Sequence, residues 1–396
     1  MDEIVSSGAS ARSAPARVAE RFAATYRIAV QDGRDIEAHA RDIAFEQTVE
    51  VPPDCVPDEI LEAGIVGRVE SIAELSRDFE VVISYRCDLT GFSVPQFLNV
   101  LFGNISIKRG IKLVGLDFPD SLARALGGPG FGIDGIRHIT GVFGRPLACT
   151  ALKPVGLPVR ALAAMAGAYA RGGLDLVKED HGMADVAYHP FRERVARCQE
   201  AVASANARTG RNALYFPMIS GGFDGIEAQV AYAKELGIRG ILTAPFLVGP
   251  DSIRVLARRY GMIVMAHPAL TGTHFHDPRH GMTPAVLLGT LFRLLGADIS
   301  VFPNAGGRFS FTPEECLELA DALRRPLGAL KPAFPAPAGG MTLDSIPAMA
   351  DSFGPDAVLL IGGALMQHSR DPETGASAFA DAIRRCFGEA RPVPQP

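Results

Sequence analysis

From about Phe143 onward one pattern recurs along the chain: a short apolar run, a stretch with helical spacing, then a turn that is often marked by glycine. The apolar runs lie at 147–152, 174–178, 213–219, 239–243, 262–266, 298–302, 332–336 and 357–361. The helical stretches that follow them lie at 158–171, 190–208, 224–236, 250–260, 283–295, 312–325, 343–353 and 375–388. Apolar runs alternating with helices imply parallel strands whose two faces are both covered. Eight such units over roughly 250 residues predict a (β/α)8 barrel. An open doubly wound sheet normally has fewer strands and a GxGxxG turn after its first one, and that turn is missing.

The first third reads differently. Residues 21–31 and 80–86 carry β-branched and aromatic residues in partial alternation, while 34–48 and 94–101 have helical spacing. The expected organisation is a frayed tail over 1–20, a small α+β domain over 21–142 and the barrel domain over 143–396. The first twenty residues hold no apolar stretch, so no secretory signal is expected.

Composition narrows the function classes. Lys and Arg total 39 against 44 Asp and Glu, which leaves no global basic field for nucleic acid or an anionic membrane. No run of 18 uncharged apolar residues is present, so no spanning helix is expected. The six cysteines form no CxxC pair. That pattern suits reduced thiols in a cytoplasmic protein rather than a disulfide frame or a structural zinc site.

A barrel concentrates chemistry at the C-terminal ends of its strands. Lys153 follows the first strand run, and Lys178-Glu179-Asp180-His181 ends the second. Side chains alternate along a strand, so Lys178 and Asp180 face one way and Glu179 the other. Lys178 and Asp180 read either as a plain ion pair or as a metal site. In the second case a carbamylated Lys178 and Asp180 are oxygen ligands, with His181 or water completing the shell. A lysine in a partly dry mouth can take a proton from a carbon acid, the role open to Lys153, which reads equally as a solvated loop lysine. Gly339-Gly340 and Gly362-Gly363 follow the last two strand runs, where barrel loops often hold a phosphate through backbone N–H groups. Asn304 to Phe309 reads as a phosphate-facing loop with Arg308 as its charge, or as an ordinary turn. His267 ends the fifth run and suits a substrate contact or proton relay. His274, His276 and His280 follow in an irregular loop, which leaves a zinc hydrolase as a further reading.

The stretch 99–181 (NVLFGNISIKRG…RPLACTALKPVGL…GGLDLVKEDHG) resembles the large subunit of ribulose bisphosphate carboxylase. It is closer still to the non-carboxylating RuBisCO-like proteins, and the resemblance extends over nearly all of the chain after the first twenty residues. The resemblance implies a ferredoxin-like N-terminal domain and a magnesium site in which Lys178 is carbamylated and Asp180 is a ligand. It assigns Lys153 as the acid/base on the substrate carbon, places His267 in the active site, and gives the two glycine pairs the substrate phosphate. Glu46 and Asn104 match residues that reach the partner's site in a head-to-tail homodimer.

Departures from the family pattern are informative. His181 stands where the third metal ligand is a glutamate, and FPNAGGRF lacks the lysine of the loop after the sixth strand. Pro268 and Ser300 replace the arginine and histidine that hold a second phosphate, and LKPVGL is one residue short and lacks a second lysine. Carbon dioxide fixation is therefore not expected. The resemblance instead implies enediolate chemistry on a monophosphorylated keto-sugar or keto-sugar acid. The leading expectation is decarboxylation of, or carboxyl transfer from, 3-oxo-isoapionate 4-phosphate in apiose breakdown. The alternative is an isomerase or enolase of 5-methylthioribulose 1-phosphate-type substrates in sulfur salvage, and a third reading is a silent sugar-phosphate binder.

Overall fold

The computed structural model describes residues 19–29 and 35–388. Most of the expected tail (1–18), the end of the first strand run and Arg34 thus lie outside the described residues.

The N-terminal unit comprises β1 (Arg21–Ile28), α1 (Ile36–Glu46), α2 (Asp58–Glu62), β2 (Arg68–Glu74), β3 (Phe79–Arg86), α3 (Val94–Phe102) and β4 (Ile111–Asp117). These strands lie in the order β4-β1-β3-β2, all antiparallel, which is the ferredoxin-like arrangement expected. Alternation along β1 buries Phe22, Ala24, Tyr26 and Ile28 on one face. Phe22 meets Phe97 of α3 and Tyr85 of β3 with ring centroids 5.2 and 5.5 Å apart. The sequence reading missed β2, and for a clear reason: RVESIAE is almost wholly exposed and carries no apolar stripe.

Helices α4 (Asp120–Leu126) and α5 (Gly132–Thr140) lead to the barrel. Its first half runs β5 (Leu147–Leu152), α6 (Val159–Arg171), β6 (Leu176–Glu179), α7 (Phe191–Thr209), β7 (Leu214–Phe216), α8 (Phe223–Glu235) and β8 (Gly240–Thr243). Next come α9 (Pro245–Val248), α10 (Pro250–Tyr260), β9 (Ile263–Ala266), β10 (Gly281–Met282), α11 (Phe292–Leu294) and β11 (Ile299–Pro303). The chain finishes with α12 (Pro313–Arg324), β12 (Phe334–Ala338), α13 (Ile346–Phe353), β13 (Val358–Ile361), α14 (Gly363–His368) and α15 (Pro372–Phe387).

Eight parallel strands form the order β7-β6-β5-β13-β12-β11-β9-β8. The ring closes between β7 and β8, where the Ile219 amide donates to the Leu242 carbonyl at 2.8 Å and the Leu242 amide to that of Pro217 at 2.9 Å. Every expected strand run contributes a strand. The helix expected over 283–295 is wound mostly as a π-helix, Ala285–Leu291. Among the described residues no helix is long and apolar enough to cross a membrane.

Two buried carboxylates fasten the barrel. Asp298 accepts hydrogen bonds from the Phe131 and Gly132 amides, both at 2.7 Å, and from the Val264 amide at 2.9 Å. These bonds moor α5 to the barrel floor. Burial pushes the Asp298 carboxyl up to about 6. Glu179 points away from the barrel mouth, as alternation requires, and pairs with Arg194 at 2.7 Å; both are fully buried. Tyr215 and the Met218 amide donate to the same carboxylate, at 2.6 and 2.9 Å. Removing one partner of such a pair costs about 3–5 kcal/mol.

β10 was not foreseen. It lies in the long loop after β9 and leaves the barrel to join the N-terminal sheet, parallel to β4 through Gly281 and Met282. Lys112 of β4 reaches into the same loop and donates to the carbonyls of Phe275, at 3.1 Å, and Asp277.

Candidate active site

The C-terminal ends of the strands surround a cavity of ≈ 640 Å³. Lys153, Lys178, Asp180, His181, His267 and Arg308 all line it, as do the four glycines 339, 340, 362 and 363. Strand alternation on β6 accounts for Lys178 and Asp180 sharing this cavity while Glu179 does not.

The charged groups form a row. Lys153 Nζ stands 2.7 Å from Asp180 Oδ2, and His181 Nδ1 stands 3.3 Å from Asp180 Oδ1. The His181 ring stacks on that of His267, with centroids 4.0 Å apart and planes 10° apart. Lys178 is buried beneath the row and donates to the Glu179 carbonyl at 3.0 Å.

Electrostatics follow from this crowding. Burial lowers the Lys178 pKa and Lys153 lowers it further, against the pull of Asp180. Burial alone would raise the Asp180 carboxyl, but hydrogen bonds with His181 and Lys153 hold it well below the usual carboxylate range. His267 is pushed well below the ordinary histidine value by burial, then by Lys178 and His181. Its Nδ1 accepts from the Ala269 amide at 3.2 Å, which leaves the proton of the neutral ring on Nε2.

The glycines permit contacts that no side chain would allow. Gly340 has φ +77°, and a Cβ there would fall 2.5 Å from Gly307 Cα. A Cβ on Gly307 would fall 2.2 Å from the Gly339 carbonyl oxygen. The loops after β11 and β12 thus touch backbone to backbone. Gly362 flanks Lys153, since a Cβ there would lie 3.8 Å from the lysine Cε. Arg308 stands over the Phe309 ring at 5.1 Å.

The remaining expectations separate. Among the described residues, no three His, Cys, Asp or Glu side chains are grouped to hold a metal. The zinc reading therefore has no ligand set. His276 lines the cavity, but His274 packs on Phe246 at 5.0 Å and His280 lies near Phe102 at 6.2 Å. A divalent ion fits at the β6 end only if Lys178 becomes a carbamate, whose oxygens would join Asp180 and His181. Carbamate formation needs a neutral amine, and the lowered pKa of Lys178 favours one.

Glu46 and Asn104 do not line this cavity. They bond to each other, Asn104 Nδ2 to Glu46 Oε1 at 3.0 Å, and Lys108 lies 3.5 Å from Glu46. Pro268 does line the cavity, whereas Ser300 is buried with its hydroxyl donating to the Leu288 carbonyl at 2.6 Å. Neither supplies a charge for a second phosphate. The sequence reading missed the apolar wall of Phe275, Val301, Phe302, Phe311 and Met341. Phe275 and Phe311 meet edge to face with centroids 5.5 Å apart, and only the tertiary fold reveals that they share a pocket.

Comparisons with known proteins agree with this fold. The catalytic domain of the ribulose bisphosphate carboxylase large chain matches residues 132–306. A 5-methylthioribulose-1-phosphate isomerase from Rhodospirillum rubrum is 42% identical over 363 residues, covering 91% of this chain and 95% of that protein. A 2,3-diketo-5-methylthiopentyl-1-phosphate enolase from Bacillus pumilus is 31% identical over 327 residues, covering 80% of each. The crystal structure of a Rubisco-like protein from Rhodopseudomonas palustris superposes with a TM-score of 0.83 at 39% identity, covering 94% of this chain and 99% of that one.

Proposed function

The chain belongs to the ribulose bisphosphate carboxylase large-chain family as a RuBisCO-like enzyme of the non-carboxylating type, and from that premise we propose that it isomerises a 5-methylthio keto-pentose 1-phosphate through an enediolate. This reading displaces the decarboxylation of 3-oxo-isoapionate 4-phosphate expected first, because the similar enzymes are isomerases and enolases of methylthio-sugar phosphates.

The observation that carries it is the mixed lining of the cavity. Glycine backbone and Arg308 are there for a single phosphate, together with apolar surface from Phe275, Phe302 and Phe311. A thioether suits that surface, whereas a second phosphate or a carboxylate would be desolvated there without a partner.

In this mechanism the glycine pairs hold the phosphate and so fix the reacting carbons against the charged row. Lys153 removes the proton beside the ketone and returns it to the neighbouring carbon. His267, neutral and protonated at Nε2, donates a hydrogen bond to a substrate oxygen. Mg2+, held by Asp180, His181 and carbamylated Lys178, would supply Lewis acidity to the enediolate oxygens. Glu46 and Asn104 complete a neighbouring subunit's mouth in a homodimer.

Incubating the purified protein with 5-methylthioribulose 1-phosphate in D2O tests the proposal. Proton NMR should show isomer formation with deuterium entering beside the carbonyl. Lack of both with this substrate, or carbon dioxide release from 3-oxo-isoapionate 4-phosphate instead, would overturn it.

A further inference from the structure

The opposite end of the barrel carries a second hollow of ≈ 510 Å³, where β5, β6 and β7 begin. Arg145, Gly173, Asp175, Arg211, Asn212 and Arg384 are among its lining residues.

Arg145 forms the floor and is almost fully buried, at 7% exposure. Its Nη1 and Nη2 donate to the two oxygens of Asp175 at 2.7 and 2.9 Å. Its Nε, shielded from water, has no hydrogen-bond partner. An unsatisfied buried donor on a cation is costly.

Above it, two more guanidinium groups converge on Gly173, whose φ is +96°. A Cβ on this glycine would lie 2.9 Å from Arg211 Nη1 and 3.2 Å from Arg384 Nη2. Arg211 donates to the Arg171 carbonyl at 3.1 Å, and among the described residues no carboxylate pairs with it. Arg384 shares Asp381, one turn back on α15. Asp175 is the one carboxylate in the lining, and it is already engaged by Arg145 and the Ala148 amide. Three guanidinium groups thus face one hollow with a deficit of negative charge. Like charges held this close repel, and an oxyanion between them reverses the sign.

We propose that this hollow binds a small polyanion of the phosphate class, a phosphomonoester or pyrophosphate, separately from the catalytic mouth. Planar guanidinium forks match phosphate oxygens two at a time, and the bare backbone of Gly173 leaves the room. The site lies at the end of the barrel away from the chemistry, so its ligand is an effector or a tether rather than a substrate.

Calorimetric titration of the full chain with inorganic pyrophosphate, at low salt and without metal, tests this. Gly363→Asp places a carboxylate at the catalytic glycines and removes competing binding there. In that background one pyrophosphate per chain should remain. Adding Arg211→Ala and Arg384→Ala should weaken it by about tenfold or more, given what charged hydrogen bonds contribute. Arg211→Lys with Arg384→Lys, which keeps charge and fold but loses the fork, should fall between. Absence of binding to Gly363→Asp, or equal affinity with and without the two arginines, would overturn the proposal.

Discussion

The imidazoles of His181 and His267 lie face to face, 4.0 Å apart and 10° from parallel, though 86 residues separate them in the chain. Such a stack disfavours two positive charges, and the buried ring is the one that stays neutral. His267 should therefore take up a proton only at a pH well below the ordinary histidine range. Histidine side-chain NMR checks this: a His267 midpoint near the ordinary value of about 6.5 contradicts it.

Asp180 links the candidate site to stability. His181 and Lys153 hold its folded-state pKa below the unfolded value. The resulting stabilisation is fully present above the unfolded carboxylate pKa, about 4, and is lost as pH falls. Lys153→Met should flatten that acid limb. Urea midpoints of wild type and variant, measured from pH 6 to 3, should converge toward the acid end; parallel curves would contradict the link.

If Lys153 moves the proton, Lys153→Met should lower kcat by about 10²–10⁴ with a smaller change in KM. Lys178→Ala should abolish divalent-cation binding as well as turnover. Calorimetry with magnesium in the presence of bicarbonate separates that loss from simple unfolding, which circular dichroism would report.

The glycines should differ in how they fail. Gly363 has open space around a would-be Cβ, so Gly363→Asp should fold normally and raise KM through charge repulsion. Gly340→Ala meets Gly307 Cα at 2.5 Å with a left-handed backbone, and should cost about 1–3 kcal/mol of stability. Thermal melts and KM measurements on the two variants should show opposite patterns.

The barrel was legible because buried strands and helical periodicity alternate through eight units between Leu147 and Phe387. Period-two alternation on β6 was enough to turn Lys178 and Asp180 inward and Glu179 outward. Contacts between distant segments were not legible: the His181–His267 stack, the meeting of Phe275 with Phe311, and the glycine-on-glycine seam of Gly307 and Gly340. The arginine hollow was hidden for the same reason, since Arg145 and Arg211 come from two separate loops and Arg384 from α15. β10 is two residues long and its partner lies far back in the chain, so no local signal marks it.

That two-residue strand has a consequence for how the enzyme can vary. Through Lys112 and the β4–β10 pairing, the loop that starts at His267 is anchored in the smaller domain. Swapping the barrel of one homologue onto the small domain of another would therefore have to re-form the β4–β10 pairing and the Lys112 bonds as well. The join between the two modules thus runs through a loop whose Phe275 and His276 wall the barrel's mouth.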